Sequence, residues 1–571
     1  MDSSIPDAAP PVGLVVGTDD ATPLEYWVAI APGQYLQLDD VVALERAVPG
    51  RDPVRMYGLV GDMRARHDGV RFDNDVFLVD DGVLPAEVSE AALVQTTRVE
   101  PEVFVPPLPG TPVRRAEGDE RDTALFFDGM EARLPIGLSR DEGAVFANLE
   151  FLDGTRGGHV NISGISGVAT KTTYATFLLY SLFTSGVLGT DAANTKALIF
   201  NVKGEDLLFL DHANTRLDAD AEAAYGRMGL PVGPFPSVAV YAPPRRDDPS
   251  ATADVSSRTA GVTSFFWTIE EFCHQELLPF LFADAEDDRQ QYTIVVSNVT
   301  AKLKTAVSVG DGVVSIDGET VRTLRELVDL IGDRVDPDGD DVEERFRWTG
   351  RAIGAGTIGA FVRRLHAAVK PLEPLVRADV ANPDRHRIDL ENQQVTVIDL
   401  HNLADRAKRF VVGVMLRRAF ERKERSGTAH PLQFVVLDEL NRYAPRDGSS
   451  PIKEILLDIA ERGRSLGVIL IGAQQTASEV ERRIIANAAM RVVGRLDSAE
   501  ATRNEYGFLP DVQRKRSTIL KPGTMLVTQP ELPVPLMVQF PFPAWASRSS
   551  EAGHNPASTL APDDDPLRGL P

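Results

Sequence analysis

The sequence predicts an α/β protein: a parallel sheet covered by helices, with a small β-barrel or sandwich in front of it and a helical region inserted within it. Three observations carry this reading. From Val12 to about Val99, short apolar runs alternate with turn residues, as in small all-β domains. Beyond about Asp122 the rhythm changes to short apolar strands separated by longer helical segments, which is how a parallel sheet with crossover helices is written. Between Ser250 and about Leu390 the strands give way to mostly helical periodicity.

In chain order, the first domain is expected over 1–110, with strands at Val12 to Val16, Glu25 to Ile30, Val41 to Leu44, Val54 to Val60 and Val76 to Val79. Pro101 to Asp122 is rich in Pro and charge, so 111–134 is expected as a linker. A first part of the α/β core follows over 135–249, with strands at His159 to Ser163, Ala197 to Asn201 and Val238 to Tyr241. The insertion is expected over 250–390, helical at Phe265 to Phe282 and Gly359 to Val369, with turns at Val309 to Val321 and Asp333 to Asp341. The core resumes over 391–545 with strands Val395 to Leu400, Phe434 to Leu437 and Val468 to Gly472. The remainder, 546–571, is Ser, Ala, Pro and Asp with little to bury and is expected to be a disordered tail.

A length of 571 residues exceeds what one hydrophobic core serves, consistent with several domains. No apolar run reaches the roughly 18 residues that span a bilayer, and the N-terminus lacks the basic start and apolar centre of a signal peptide, so a cytoplasmic protein with no membrane partner is expected. The single cysteine, Cys273, excludes an internal disulfide framework and is expected to be buried and inert. The histidines show no zinc-type spacing. A net charge of -24 argues against a surface coated for nucleic-acid binding. A ring can still keep a few Lys and Arg in a narrow channel while its outer face is acidic.

Chemistry is suggested first by Gly164-Ile165-Ser166-Gly167-Val168-Ala169-Thr170-Lys171-Thr172, between an apolar strand and the apolar helical run Tyr174 to Leu182. Backbone N–H groups at a helix N-terminus attract phosphate, a Lys supplies charge to the outer phosphates and a Thr hydroxyl ligates Mg²⁺. Thr173 completes the set of candidate nucleotide-contacting positions. The spelling departs from the strict phosphate loop: six residues rather than five separate Gly164 from Lys171, and Thr170 rather than Gly precedes the Lys. A plain tight strand-to-helix connection looks the same.

The second element is Phe434-Val435-Val436-Leu437-Asp438-Glu439, an apolar strand ending in two acids. Asp438 is placed to support Mg²⁺ and Glu439 to orient or deprotonate the attacking water. The third is the strand ending Gly472-Ala473-Gln474-Gln475, whose amides are placed to sense the γ-phosphate or the lytic water. Arg462 and Arg464, on the helix between these strands, are candidates for arginines acting on a neighbouring subunit's nucleotide, with Arg491 and Arg495 further on. The triphosphate is expected where the Gly164 to Thr172 turn meets its helix, facing Asp438 and Glu439 across adjacent strand ends. Gly463-Arg464-Ser465-Leu466-Gly467 matches a nucleophile elbow, but it lies between a helix and a following strand, the reverse of what that chemistry needs.

Taken in order, these parts resemble the HerA-like branch of the HerA/FtsK ATPases over roughly residues 12 to 545. The similarity rests on the leading barrel, Leu134-Pro135-Ile136-Gly137-Leu138, Gly157 to Gly164, Ile199-Phe200-Asn201-Val202-Lys203-Gly204-Glu205, Val397-Ile398-Asp399-Leu400, Leu437-Asp438-Glu439, Gly472 to Gln475 and the closing Gly523 to Pro543. Asn201 stands where that family usually has Asp. The resemblance implies a RecA-like P-loop core behind a HAS-like barrel, with ATP and Mg²⁺ as cofactors. It implies a homohexameric ring around double-stranded DNA, acting as translocase or helicase with a nuclease or other effector in DNA-end processing or antiphage defence. By the same resemblance Lys171 and Thr172 hold phosphate and Mg²⁺, Asp438 supports Mg²⁺, Glu439 activates water, and Gln474 or Gln475 senses nucleotide. The altered loop leaves a second reading open, a nucleotide-binding ring scaffold with weak ATPase activity that assembles an effector. A third is a conjugation or secretion ATPase, which the lack of a membrane segment disfavours.

Overall fold

Alternation in the first hundred residues produces a closed antiparallel barrel. A computed structural model describes residues 10–165, 171–258, 260–282, 290–336, 338–339, 341–351 and 353–553. In it, β1 (Gly13–Val15), β2 (Glu25–Ile30), β3 (Val41–Arg46), β4 (Val54–Asp68), β5 (Glu87–Glu100) and β6 (Pro112–Arg115) close in the order β1-β2-β5-β4-β3-β6. Every second residue points inward, so Tyr26 and Val28, Val42 and Leu44, and Val94 form one core with Met56 and Val60. β4 and β5 stay paired from Asp62–Leu93 out to Asp68–Glu87. The run Val76 to Val79, expected as a strand, is instead part of the short helix Asp75–Asp80 between β4 and β5, with no buried residue. The stretch expected as a linker holds β6, which pairs with both β1 and β3 and closes the barrel. Its charges are partnered: Arg114 pairs with Glu120 and Arg115 with Asp40.

After β7 (Arg133–Leu138) and β8 (Ala144–Asn148), the chain builds a parallel sheet. Its strands are β9 (Val160–Ser163), β10 (Lys196–Asn201), β11 (Val238–Ala242) and β12 (Val262–Ser264), and, beyond an insertion carrying β13 (Val307–Gly310), β14 (Val313–Ile316) and β15 (Glu319–Val321), β16 (Val395–Asp399), β17 (Gln433–Asp438) and β18 (Val468–Gln474). The order is β12-β11-β16-β10-β17-β18-β9, parallel at each pairing. Every residue of β16, β17 and β18 is buried, which is why these strands read as unbroken apolar runs. β18 pairs on one side with β17 and on the other with β9, so the phosphate-loop strand and the acid-bearing strand are not neighbours, as expected from sequence, but flank a third.

The helix Lys171–Thr184 packs on β9, β17 and β18. It is buried on nearly all sides, with Tyr174, Phe177 and Tyr180 fully enclosed and Tyr180 packed against Phe235 and Trp545. Helices Asp405–Ser426 and Pro451–Leu466 pack on each other. The insertion contains Gln290–Leu303, Leu324–Val335, Val342–Thr349 and Ala355–Leu372. Two of its expectations need correcting. Phe265 to Phe282 holds only the short helix Ile269–His274 and a 3-10 turn at Leu278–Phe282. Val309 to Val321, expected as turns, is the antiparallel sheet β13-β14-β15. Asp317 and Gly318, with φ 50 and 88, form the two-residue turn that joins β14 to β15.

The chain closes with β19 (Met490–Val493), β20 (Thr524–Thr528) and β21 (Leu536–Gln539), which pair antiparallel in the order β19-β20-β21-β7-β8. Two compact units result: residues 1–151, 226–229 and 490–541, and residues 152–225, 230–489 and 542–571. Pairing of β21 with β7 thus gathers 135–148 and 490–541, expected in the α/β core, into the barrel's unit. The start of the expected tail is structured, since Arg548 pairs with Asp206 and Glu551 O accepts from Thr215; residues 554–571 lie outside the described residues. Among the described residues no helix is long and apolar enough to cross a membrane.

Candidate active site

Ligands of open parallel sheets bind beyond the carboxyl ends of the strands, and four such ends converge here. β9 ends at Ser163, and Gly164 N donates to Gln474 O at 3.1 Å. Ser166, Gly167, Val168, Ala169 and Thr170 lie outside the described residues, and the helix Lys171–Thr184 follows them. Thr172 Oγ1 donates to Asp438 Oδ2 at 3.0 Å, so the first turn of that helix meets the acids directly.

Lys171 is 1% exposed, and its Nζ has no hydrogen-bond partner among the described residues. Burial pulls its pKa down to about 8, with Lys203 adding to the fall and Asp438 and Glu439 opposing it. A buried ammonium without a partner is costly unless an anion completes it. Thr173 lies on the same first turn, where its carbonyl accepts from Thr176 Oγ1 at 2.9 Å.

Asp438 closes β17, and Glu439 follows in the left-handed region at φ 56 and ψ 47. That conformation costs about 1 kcal/mol for a residue with a Cβ. Asp438 Oδ1 accepts from Glu439 N at 2.8 Å, and Gln475 Nε2 donates to Glu439 Oε1 at 2.9 Å. Lys203, on the loop after β10, bridges the two acids: Nζ lies 3.1 Å from Asp438 Oδ2 and also pairs with Glu439 Oε1. Burial alone would raise the Glu439 pKa, but the hydrogen bonds from Lys203 and Gln475 hold it below the usual carboxylate range. For Lys203, burial works downward, and Asp438 and then Glu439 raise it above the ordinary lysine value.

The two adjacent glutamines divide. Gln475 reaches Glu439, whereas Gln474 is fully buried and ties β18 to β9, donating to Asn161 Oδ1 at 2.8 Å and Ser163 Oγ at 2.9 Å. Arg462 pairs with Glu424 and lies over the Phe420 ring. Arg464 sits on the last turn of the same helix, its carbonyl against Gly154. Neither is bonded to Asp438 or Glu439 within the chain. Arg491 lies over Phe508, and Arg495 donates to Thr518 O at 3.2 Å. Lys302 and Lys304 are paired with Asp317 and Glu276. Cys273 is buried, its thiol pKa pushed up to about 12 by burial.

Sequence reasoning assigned no role to Lys203 or to the polar network beside it. Asn201 Nδ2 donates to Asp399 Oδ1 at 3.0 Å and to Gly204 O at 2.9 Å, shaping the loop that presents Lys203. Asp399 is fully buried with its other oxygen 2.8 Å from His401 Nδ1, and burial raises its pKa despite His401. The available signal was Asn201-Val202-Lys203-Gly204-Glu205 at the end of a core strand. A cavity of about 220 Å³ opens beside Glu439, lined by Lys203, Asp405, Lys408, Arg409 and Arg442 among others.

No family model and no curated protein matches the sequence. Among solved structures the chain is similar to VirB4 of Thermoanaerobacter pseudethanolicus at 15% identity, covering 72% of this chain and 96% of that one with a TM-score of 0.42. It is similar to the plasmid coupling protein TrwB in complex with a non-hydrolysable GTP analogue at 12% identity, covering 76% and 95% with a TM-score of 0.46. The genome packaging NTPase B204 of Sulfolobus turreted icosahedral virus 2 matches at 13% identity over 26% of this chain and 69% of its own, with a TM-score of 0.20.

Proposed function

We propose that this chain is a Mg²⁺-dependent ATPase of the HerA type, a motor that assembles as a homohexameric ring and translocates or unwinds double-stranded DNA with an effector partner. One observation carries the ATPase reading: the buried Lys171 ammonium, without a hydrogen-bond partner among the described residues, and the Thr172 hydroxyl meet Asp438 and the Glu439 carboxylate at the strand ends. Among the described residues no cluster of three or more His, Cys, Asp or Glu side chains could hold a metal ion by itself. One hydroxyl and one carboxylate suit Mg²⁺, which takes its remaining ligands from phosphate and water. Bound there, the ion neutralises charge on the phosphates. Lys171 binds the outer phosphates, and Thr172 and Asp438 hold the ion. Glu439, ionised and fixed by Gln475, orients the attacking water and takes its proton as the water oxygen bonds to the γ-phosphorus and the bond to ADP breaks.

The ring, the DNA and the effector come from the resemblance of the ordered motifs to the HerA/FtsK ATPases. With a net charge of -24, duplex contact is confined to a few basic side chains rather than the general surface. The test is steady-state ATP hydrolysis with and without linear duplex DNA. DNA should stimulate turnover, and Glu439→Gln should lower it by roughly a hundredfold or more while nucleotide still binds. Normal hydrolysis by Glu439→Gln would remove the assigned base. A second reading, a nucleotide-binding scaffold with weak turnover, is favoured by the hold Lys203 has on both acids. Negligible hydrolysis in every condition would select it.

A further inference from the structure

Lys203 contacts the oxygen that a divalent cation would need. Asp438 Oδ2 accepts from Thr172 Oγ1 at 3.0 Å and lies 3.1 Å from Lys203 Nζ, so the ammonium shares that oxygen with the hydroxyl. The same Nζ pairs with Glu439 Oε1, which also accepts from Gln475. Both acids are nearly buried, at 5% and 8% side-chain exposure, whereas Lys203 is 44% exposed. The cation between the acids is therefore the most solvent-accessible member of the group. The cavity beside Glu439 borders Lys203 on its exposed side.

We propose that Lys203 is an exchangeable counter-cation, so that a divalent ion enters the site by displacing its ammonium from Asp438 while Lys203 keeps Glu439. A dication and an ammonium cannot share one carboxylate oxygen at contact distance without strong repulsion. Without Lys203, the buried carboxylate pair loses its contact cation and takes up metal instead. The inference rests on the nucleotide-site reading above and adds a positioning role. Lys203 keeps the acids in place and raises the concentration at which a divalent ion enters.

The exchange is measured with Mn²⁺ alone, by electron paramagnetic resonance of the unbound ion in titrations of the full chain. Lys203→Met should bind Mn²⁺ at least tenfold more tightly than the wild type, Lys203→Arg should stay within about threefold of the wild type, and the double variant K203M/D438N should lose the gain. Equal Mn²⁺ affinity in Lys203→Met and wild type would overturn the proposal. Should Lys203→Met fail to fold, reductive methylation of the wild type decides. Lys203 should react several-fold faster in saturating Mn²⁺, and an unchanged rate would contradict the exchange. Neither readout uses nucleotide, so failure of ATP hydrolysis would overturn the proposed function and leave this test standing.

Discussion

Adjacent residues on a strand face opposite ways, and at the end of β18 that separates two glutamines that the sequence offers as equivalents. Gln475 holds the Glu439 carboxylate, and Gln474 is an internal tie between β18 and β9. Their alanine variants should therefore fail differently. Gln475→Ala should lower kcat roughly tenfold to a hundredfold with little change in nucleotide affinity. Gln474→Ala leaves Asn161 and Ser163 with unmet buried hydrogen-bonding groups and should cost about 2 kcal/mol of stability. Turnover and denaturant midpoints, taken together for both variants, check this, and the reverse assignment of the two effects would refute it. The sequence narrowed the choice to this pair but not within it, because alternation fixes relative facing and not which face meets Glu439. Lys203 was illegible for a related reason, since its partners come from a strand more than two hundred residues later.

Elements were legible where burial imposes a pattern. β16, β17 and β18 are covered on both faces, and each was read within two residues of its ends. Reading failed where turn residues sit inside sheet: Asp311-Gly312 and Asp317-Gly318 signal loops by composition, yet here they join the strands of β13-β14-β15. The far ends of β4 and β5 have exposed, polar residues and no core to set a period.

The connection into β18 makes a testable hinge of another glycine. Gly467 caps the helix Pro451–Leu466 at φ 71, and a Cβ there would lie 1.7 Å from Ala429 O. Gly467→Ala should therefore cost at least about 2 kcal/mol, from the left-handed conformation and from displaced backbone. A urea midpoint within experimental error of the wild type would contradict this.

His159, which leads into β9, is buried and accepts from Leu470 N at 3.0 Å; burial takes its pKa from 6.5 to about 4. Between those values the unfolded chain binds more protons than the folded one, so stability falls as pH drops from about 6.5 through 4. The loss from this one group is about 3 kcal/mol. His159→Gln should flatten that acid limb in a pH series of denaturation midpoints, and an unchanged limb would place the cause elsewhere.

At the scale of the whole molecule, the α/β class and the leading barrel were legible, but the division of the chain was not. Sequence places a linker at 111–134 and the core beyond it, whereas β6 closes the barrel and β21 pairs with β7, drawing 490–541 into the barrel's unit. Pairings between strands some four hundred residues apart leave no local trace for sequence reading to find. The same long-range assembly brings Lys171 and Thr172 to Asp438 and Glu439, and the functional account depends on it. Its most direct test is equilibrium binding of a fluorescent ATP analogue with Mg²⁺ to the wild type and to Lys171→Ala. Binding should be saturable in the wild type and at least tenfold weaker in Lys171→Ala while the variant stays folded. Equal affinity in the two proteins would show that triphosphate does not dock where the glycine turn meets its helix.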